Sequence, residues 1–310
     1  MNSLNDRLRH LSPEAREAAR QFPLRIPPAL AMRIPWEVDG PLTRQFLPAP
    51  EELNHAPGDA IDPLRERQAQ GLPGMLIKYT GRALLKVTTE CAVHCRFCFR
   101  RHLREEPLPR RLRDWEPALA AIARDHTLKE VIYSGGDPLT LSDRRLARLT
   151  ARLAAIPHLT RLRIHTRMPV VTPERVQDSL LDWMKATRLT PLLVVHVNHA
   201  DELHPSARAA LEKLVEGGIP VLSQSVLLKG INDNLEALTR LYETLIDARV
   251  IPYYLHMLDP VAGAGHFQVS DAHALRLMAG LQERLPGYGV PRLVREEPGA
   301  RSKTGLPSKP

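Results

Sequence analysis

The sequence is most informative where it is poor. It has three cysteines in 310 residues, all within one eight-residue stretch: Cys91, Cys95 and Cys98. No fourth thiol exists for a four-cysteine zinc site. Aromatic residues make up 5 % of the chain, which leaves little material for stacking nucleic-acid bases. No apolar run approaches the ~20 residues needed to span a bilayer. The N-terminus, MNSLNDRLRHLSPEAREAARQF, lacks the apolar stretch of a secretory signal. A cytoplasmic protein with no membrane association is the expectation, and a reducing compartment suits free thiolates.

What is present is an ordinary globular composition, 43 % apolar and 25 % charged. The net charge is +8. Its arginines look dispersed along the chain, as at Arg110-Arg111 and Arg144-Arg145, and no nucleic-acid-binding motif accompanies them, so no nucleic-acid partner is expected.

The cysteine loop is the chemical centre. Three thiolates in one short loop can bind three irons of a cubic 4Fe–4S cluster, leaving the fourth iron open to a small molecule. Zinc held by the three cysteines and His94 or His102 is the alternative. Structural zinc sites usually come as two ligand pairs across a longer spacer, and no second pair follows here.

Before the loop, residues 1–75 read as a separate segment. Helical periodicity at 4–21 gives way to a proline-rich stretch expected to run extended along the body. From about residue 76, short β-branched or apolar runs alternate with amphipathic ones. The spacing predicts strands at 83–89, 130–134, 161–166, 192–197, 221–226 and 250–257. Helices are expected near 114–126, 142–155, 173–187, 206–217, 234–248 and 271–284. Six such units demand a parallel α/β sheet with right-handed crossovers, either open and doubly wound or a partial barrel. Each strand ends in polar or chemically unusual residues, which in parallel α/β folds is where ligands bind.

Several segments resemble the lysine 2,3-aminomutase family of radical S-adenosylmethionine (radical SAM) enzymes. They are 91–102 (CAVHCRFCFRRH), 133–139 (YSGGDPL), 163–171 (RIHTRMPVV), 196–200 (HVNHA), 224–234 (QSVLLKGINDN), 252–267 (PYYLHMLDPVAGAGHF) and 287–303, which ends Arg-Ser-Lys. The resemblance is collinear over about 63–305. It implies a partial (β/α)6 barrel over 76–285 and a C-terminal segment, 286–310, carrying a lysine for pyridoxal phosphate (PLP). The short form of the motifs is most similar to the branch that makes (R)-β-lysine for elongation factor P (EF-P), where a partner ligase attaches it.

The resemblance also implies roles. Cys91, Cys95 and Cys98 match the cluster ligands. Gly135, Gly136 and Asp137 match the segment that meets the SAM amino group, and His196 and Gln224 match further SAM contacts. Lys303 matches the lysine bonded to PLP, and Arg82 a contact to its phosphate. Arg100 matches the arginine that pairs with the substrate carboxylate. Asp259 and Glu296 match the acids that receive the ε-ammonium of L-lysine, and they argue against a glutamate substrate by like-charge repulsion. An isomerase performing a 1,2-amino shift, supplied by an electron donor, is thus expected. A free-lysine aminomutase unconnected with EF-P, a radical SAM enzyme without PLP and a zinc-stabilised nucleic-acid-binding protein are the competing readings. Larger relatives carry extra cysteines for zinc; this chain has none, so no zinc is expected. The approach to Lys303, Glu-Glu-Pro-Gly-Ala-Arg-Ser, and Gly305 after Thr304 depart from the usual pattern. Oligomeric state is left open, a homo-oligomer included.

Overall fold

The β-branched runs of the central region pair into one sheet. The computed structural model describes residues 3–37, 39–54 and 57–306. Ten strands follow one another across the sheet in sequence order. They are β1 (Gln70–Leu72), β2 (Met75–Tyr79), β3 (Arg82–Thr88), β4 (Glu130–Gly135), β5 (Arg161–Thr166), β6 (Thr190–His196), β7 (Val221–Val226), β8 (Ile251–His256), β9 (Arg292–Arg295) and β10 (Thr304–Gly305). Strands β3 to β9 are parallel, while β1, β2 and β10 pair antiparallel at the edges. The six expected strand–helix units are β3 to β8 with their crossovers; β9 adds a seventh parallel strand after the last helix.

Alternation along the strands sorts the two faces. Ala83, Leu85 and Val87 of β3, Val131 and Tyr133 of β4, and Leu193 and Val195 of β6 are all at most 2 % exposed and belong to the core under the helices. The opposite face carries Lys86, Arg163, His165, His196, Gln224, Tyr254 and His256. The sheet curls around this polar face: Lys78 on β2 forms an ion pair at 3.0 Å with Glu296, just beyond β9, although those strands lie far apart in sheet order.

Local signals set the helix boundaries. Asn234 caps Leu235–Asp247 by accepting from the Ala237 amide at 2.8 Å. The helix expected over 173–187 is broken into a 3-10 turn at Pro173–Arg175 and a helix at Asp178–Ala186.

The proline-rich segment does not run extended throughout. The helical periodicity at 4–21 forms Leu4–Arg9 and Pro13–Gln21. In the stretch after it, Pro28–Arg33 and Pro41–Phe46 are helices, and Pro50–Leu53 is a 3-10 turn. Each begins at its proline, in the first turn, where a missing N–H costs no hydrogen bond and the fixed φ is already helical. Trp36 and Phe46 from this segment are buried in the same core as the strands. Among the described residues no helix is long and apolar enough to cross a membrane.

Candidate active site

The cysteine loop leaves β3 and is fastened from below by the N-terminal segment. The Arg96 amide donates to the Gln45 carbonyl and the His94 amide to the Arg25 carbonyl, both at 2.9 Å. The Arg96 guanidinium, completely buried, donates through Nε and Nη2 to Glu52 at 2.8 and 2.6 Å and through Nη1 to the Phe22 carbonyl at 2.8 Å. Arg101 shares the same carboxylate at 2.6 Å. Two arginines of the loop thus converge on one buried acid.

Cys91, Cys95 and Cys98 line a common small cavity of about 70 Å³ with Arg100, Gly135 and Gly136. Burial pushes all three thiols up, Cys98 to about 11, with the Cys95 sulfur adding to the shift. Thiolates there need a cationic partner among them, which the iron of a cluster held by Cys91, Cys95 and Cys98 would supply. Of the histidines considered for a zinc site, His94 lines the same cavity with its buried Nε2 unpartnered among the described residues, and both rings also bond backbone carbonyls. His94 Nδ1 donates to the Pro23 carbonyl at 2.6 Å, and His102 Nε2 to the Ala262 carbonyl at 2.9 Å.

Arg167, at the end of β5, donates to Cys95 Sγ at 2.7 Å. Its other nitrogen, Nη2, donates to Gln45 and to Glu202, each at 2.6 Å. Sequence reading missed Arg167 and Glu202. The motif RIHTRMPVV contains Arg167, but nothing in it shows that the side chain reaches back 72 residues to the cysteine loop.

Gly135 and Gly136 pack against the strand end that leads into the loop. A Cβ on Gly135 would stand 2.3 Å from the Thr88 carbonyl, and one on Gly136 2.2 Å from the Glu90 carbonyl. Gly135 also has φ +116°, where side chains are rarely found. Asp137 turns inward: its carboxylate accepts from Thr166 Oγ1 at 2.7 Å, the Leu139 amide at 3.0 Å and the Arg167 amide at 2.6 Å.

Strand register assembles the polar face. His196 pairs with Gln224, and Gln224 with Tyr254, so three neighbouring strands present one row of side chains. Burial, then Arg167, brings His196 down to about 3; its buried Nε2 has no partner. Its ring stacks on Phe97 of the cysteine loop with 5.6 Å between centroids. Lys303 enters the same space from the C-terminal segment, its ammonium 5.5 Å from the centre of the Tyr254 ring.

Lys303 and Lys78 both pair with Glu296. Burial pushes the Glu296 carboxyl up, but the two lysines outweigh it and hold it well below the usual range. Asp259 responds oppositely. Burial and then the Glu296 charge raise it to about 7, against the pull of Lys303, Lys78 and Arg100. Lys78 was not foreseen, because one lysine on an edge strand carries no signal of its own.

Arg82, at the start of β3, has its guanidinium 5.0 Å from the Tyr79 ring centre and leaves a buried Nε without a partner, which suits an anionic group such as a phosphate. Arg100 is more committed than the sequence suggested. It forms a two-pronged pair with Glu66 at 2.9 and 2.7 Å and donates to Ser134 Oγ and the Gly135 carbonyl, both at 3.1 Å. One Nη2 hydrogen is left for a substrate carboxylate. The expected residues thus fall into two clusters, the cysteine loop with Arg167 and the Lys303–Glu296 group, joined by the row from His196 to Tyr254.

Comparison with known proteins shows the family. Residues 85–242 match the radical SAM superfamily. The chain is 46 % identical over 292 residues to the L-lysine 2,3-aminomutase of Escherichia coli K12, covering 94 % of this chain and 85 % of that protein. It is 42 % identical over 288 residues to the Haemophilus influenzae L-lysine 2,3-aminomutase, with coverages of 93 % and 85 %. The Bacillus subtilis L-lysine 2,3-aminomutase is longer: 35 % identity spans 94 % of this chain but 62 % of that one. A crystal structure of a radical SAM methyltransferase from Sphaerobacter thermophilus shares the fold, with a TM-score of 0.51 at 20 % identity over 71 % of this chain and 68 % of that one. The chain is therefore an enzyme of the L-lysine 2,3-aminomutase family, an isomerase family of the radical SAM superfamily.

Proposed function

We propose that this enzyme converts L-α-lysine to β-lysine by moving the amino group from C2 to C3, using a 4Fe–4S cluster, SAM and PLP. The observation that carries the reading is Glu296 holding both Lys78 and Lys303 in the curl of the sheet, with the Asp259 carboxyl raised by burial and the Glu296 charge. Glu296 already receives two ammonium groups, from Lys78 and Lys303, which is the chemistry required for the ε-ammonium of lysine. Charge-assisted hydrogen bonds of that kind are worth roughly 1.5–3 kcal/mol each, enough to select lysine over an uncharged side chain.

When bound, these groups supply the radical chemistry and the carrier for the migrating nitrogen. The chain's own residues hold and orient. Cys91, Cys95 and Cys98 hold the cluster, with Gly135, Gly136, Asp137, His196 and Gln224 around SAM. Arg82 receives the PLP phosphate and Lys303 anchors its ring. Arg100 takes the substrate carboxylate, and Asp259 and Glu296 the far end. A lysine held at both ends has its C2–C3 segment fixed between the His196–Gln224 row and Lys303. That positioning replaces a bimolecular encounter with an oriented one. His196 and His256, both lowered to about 3 by burial, stay neutral at working pH and add no competing cation.

The product is assigned as the R isomer, made in the cytoplasm from free lysine, reduced by an external electron donor, and passed to the ligase that modifies EF-P. The resemblance of the short motif set to that branch supports this destination. The test is an anaerobic reaction of cluster-loaded protein with SAM, PLP, dithionite and L-lysine. (R)-β-lysine is the expected product. The S isomer would overturn the EF-P assignment, and 5′-deoxyadenosine without any β-lysine would overturn the substrate.

A further inference from the structure

The arginines that look dispersed along the sequence are gathered by the fold. Arg110, Arg111 and Arg113, on the loop after the cysteines, and Arg144, Arg145 and Arg148, on helix Asp143–Ala154, line one surface pocket of about 480 Å³. All six are exposed. Buried Trp115, Leu146 and Leu149 supply its apolar part.

The nearby carboxylates are already engaged. Asp114 accepts from the Arg110 and Arg111 amides at 3.2 and 2.8 Å and lies 3.8 Å from Arg113. Asp143 is held by Arg175, Ser179 and Trp183, and Glu116 by Arg152. Among the described residues, Arg110, Arg111, Arg144 and Arg148 have no ion-pair partner. The pocket therefore carries uncompensated positive charge beside apolar surface, which favours an acidic partner.

Its position is as informative as its charge. Val87, four residues before Cys91, lines it. The Glu90 carbonyl, next to Cys91, accepts from the Asp137 amide at 2.7 Å and from Thr140 Oγ1 at 3.5 Å. Leu141 and Ser142, the next residues, form part of the pocket wall. Leu108 lines the cysteine cavity while Arg110 lines the arginine pocket. The two cavities are thus lined by residues close in sequence on β3 and on the segment after the cysteines.

The isomerisation consumes no electron overall, but radical SAM chemistry starts from a reduced cluster, and that electron comes from outside the chain. We propose that this pocket docks an acidic one-electron carrier protein that reduces the cluster. One electron leaves the carrier and enters the cluster; no bond is made or broken and no proton moves. RNA is the less suitable occupant, because the only aromatic residue lining the pocket is Trp115, 3 % exposed and unable to stack a base. The proposal rests on the cluster reading of Cys91, Cys95 and Cys98.

The test compares wild-type enzyme, cluster-loaded, with Arg144→Glu/Arg148→Glu. Acidic residues near a helix start suit its dipole, so the helix should persist. A reduced acidic flavodoxin serves as the probe carrier, with flavin oxidation and cluster reduction followed by stopped flow and electron paramagnetic resonance. The variant should accept electrons from flavodoxin at least tenfold more slowly at low salt, with a flattened salt dependence. Cluster reduction by dithionite should be unchanged, and Arg249→Glu/Arg284→Glu, elsewhere on the surface, should behave as wild type. If the helix variant does not fold, Arg110→Gln/Arg111→Gln should give a smaller loss in the same direction. A variant reduced by flavodoxin at the wild-type rate at every salt concentration would overturn the proposal, as would an unchanged flavodoxin rate with loss of tRNA binding. Wild-type protein that assembles no cluster fails in the dithionite arm too, and that outcome overturns the cluster reading itself.

Discussion

The two halves of the site are held in different ways. The cysteine loop is clamped by buried charge: Arg96 and Arg101 share Glu52, each of the three side chains at most 3 % exposed, and Arg167 ties Cys95 to Glu202. Lys303 is half-buried on a largely exposed segment closed by the two-residue strand β10, and its ammonium is held by Glu296 beside Lys78. The first half is preorganised and has one arrangement. The second is an ion-pair cluster in which one carboxylate holds two ammonium groups of the chain.

The comparison can be broken most severely at Lys303. Lys303→Ala should abolish turnover and the PLP absorbance while leaving the iron content at the wild-type level, read by an iron assay and visible spectroscopy on the same sample. Loss of iron as well would mean that the halves are not independent.

The next largest effect belongs to the clamp. Glu52→Ala leaves Arg96 and Arg101 buried without a counter-charge and should cost about 3–5 kcal/mol in denaturant unfolding, with lower iron occupancy. An unaltered midpoint would mean that the clamp is not what holds the loop.

Asp259 sharpens the contrast through pH. Its carboxyl is raised to about 7, and lysine binds best when it is ionised. KM for lysine should therefore fall by up to about tenfold as pH rises from 6 to 8, and Asp259→Asn should flatten the profile. The same raised value makes the folded state bind an extra proton between 3.8 and about 7. This group's contribution to stability therefore falls as pH rises through that window, a slope that Asp259→Asn should remove from pH-dependent unfolding curves.

The smallest effect marks the baseline. Arg249, paired with Glu216 at 2.8 Å with both side chains more than half exposed, should lose less than about 1 kcal/mol on change to Ala. A larger loss would blur the distinction between buried clamp and surface pair.

Legibility followed the same division. The six strand–helix units were readable because each buries a hydrophobic stripe long enough to impose its period. Strands β1, β2, β9 and β10 were not, since two to five residues carry too little period and pair because a neighbouring strand offers hydrogen bonds. Of the N-terminal prolines read as helix breakers, Pro28, Pro41 and Pro50 instead start helical turns, while Pro23, Pro27, Pro35 and Pro48 lie outside helices. Cys91, Cys95 and Cys98 announce themselves by spacing, and Lys303 by the resemblance alone. Lys78, Glu66, Arg167 and Glu202 matter only through partners distant in sequence, so no local pattern marks them. The arginine pocket escaped for the same reason, its six residues lying in two stretches some thirty apart.

The most direct test asks which lysine carries PLP. Cluster-loaded protein incubated with PLP is reduced with borohydride, which makes a lysine–PLP linkage permanent, then digested and mapped by mass spectrometry. The account predicts the added mass on Lys303. Finding it on Lys78, the other lysine on Glu296, would contradict the account, as would finding it on neither.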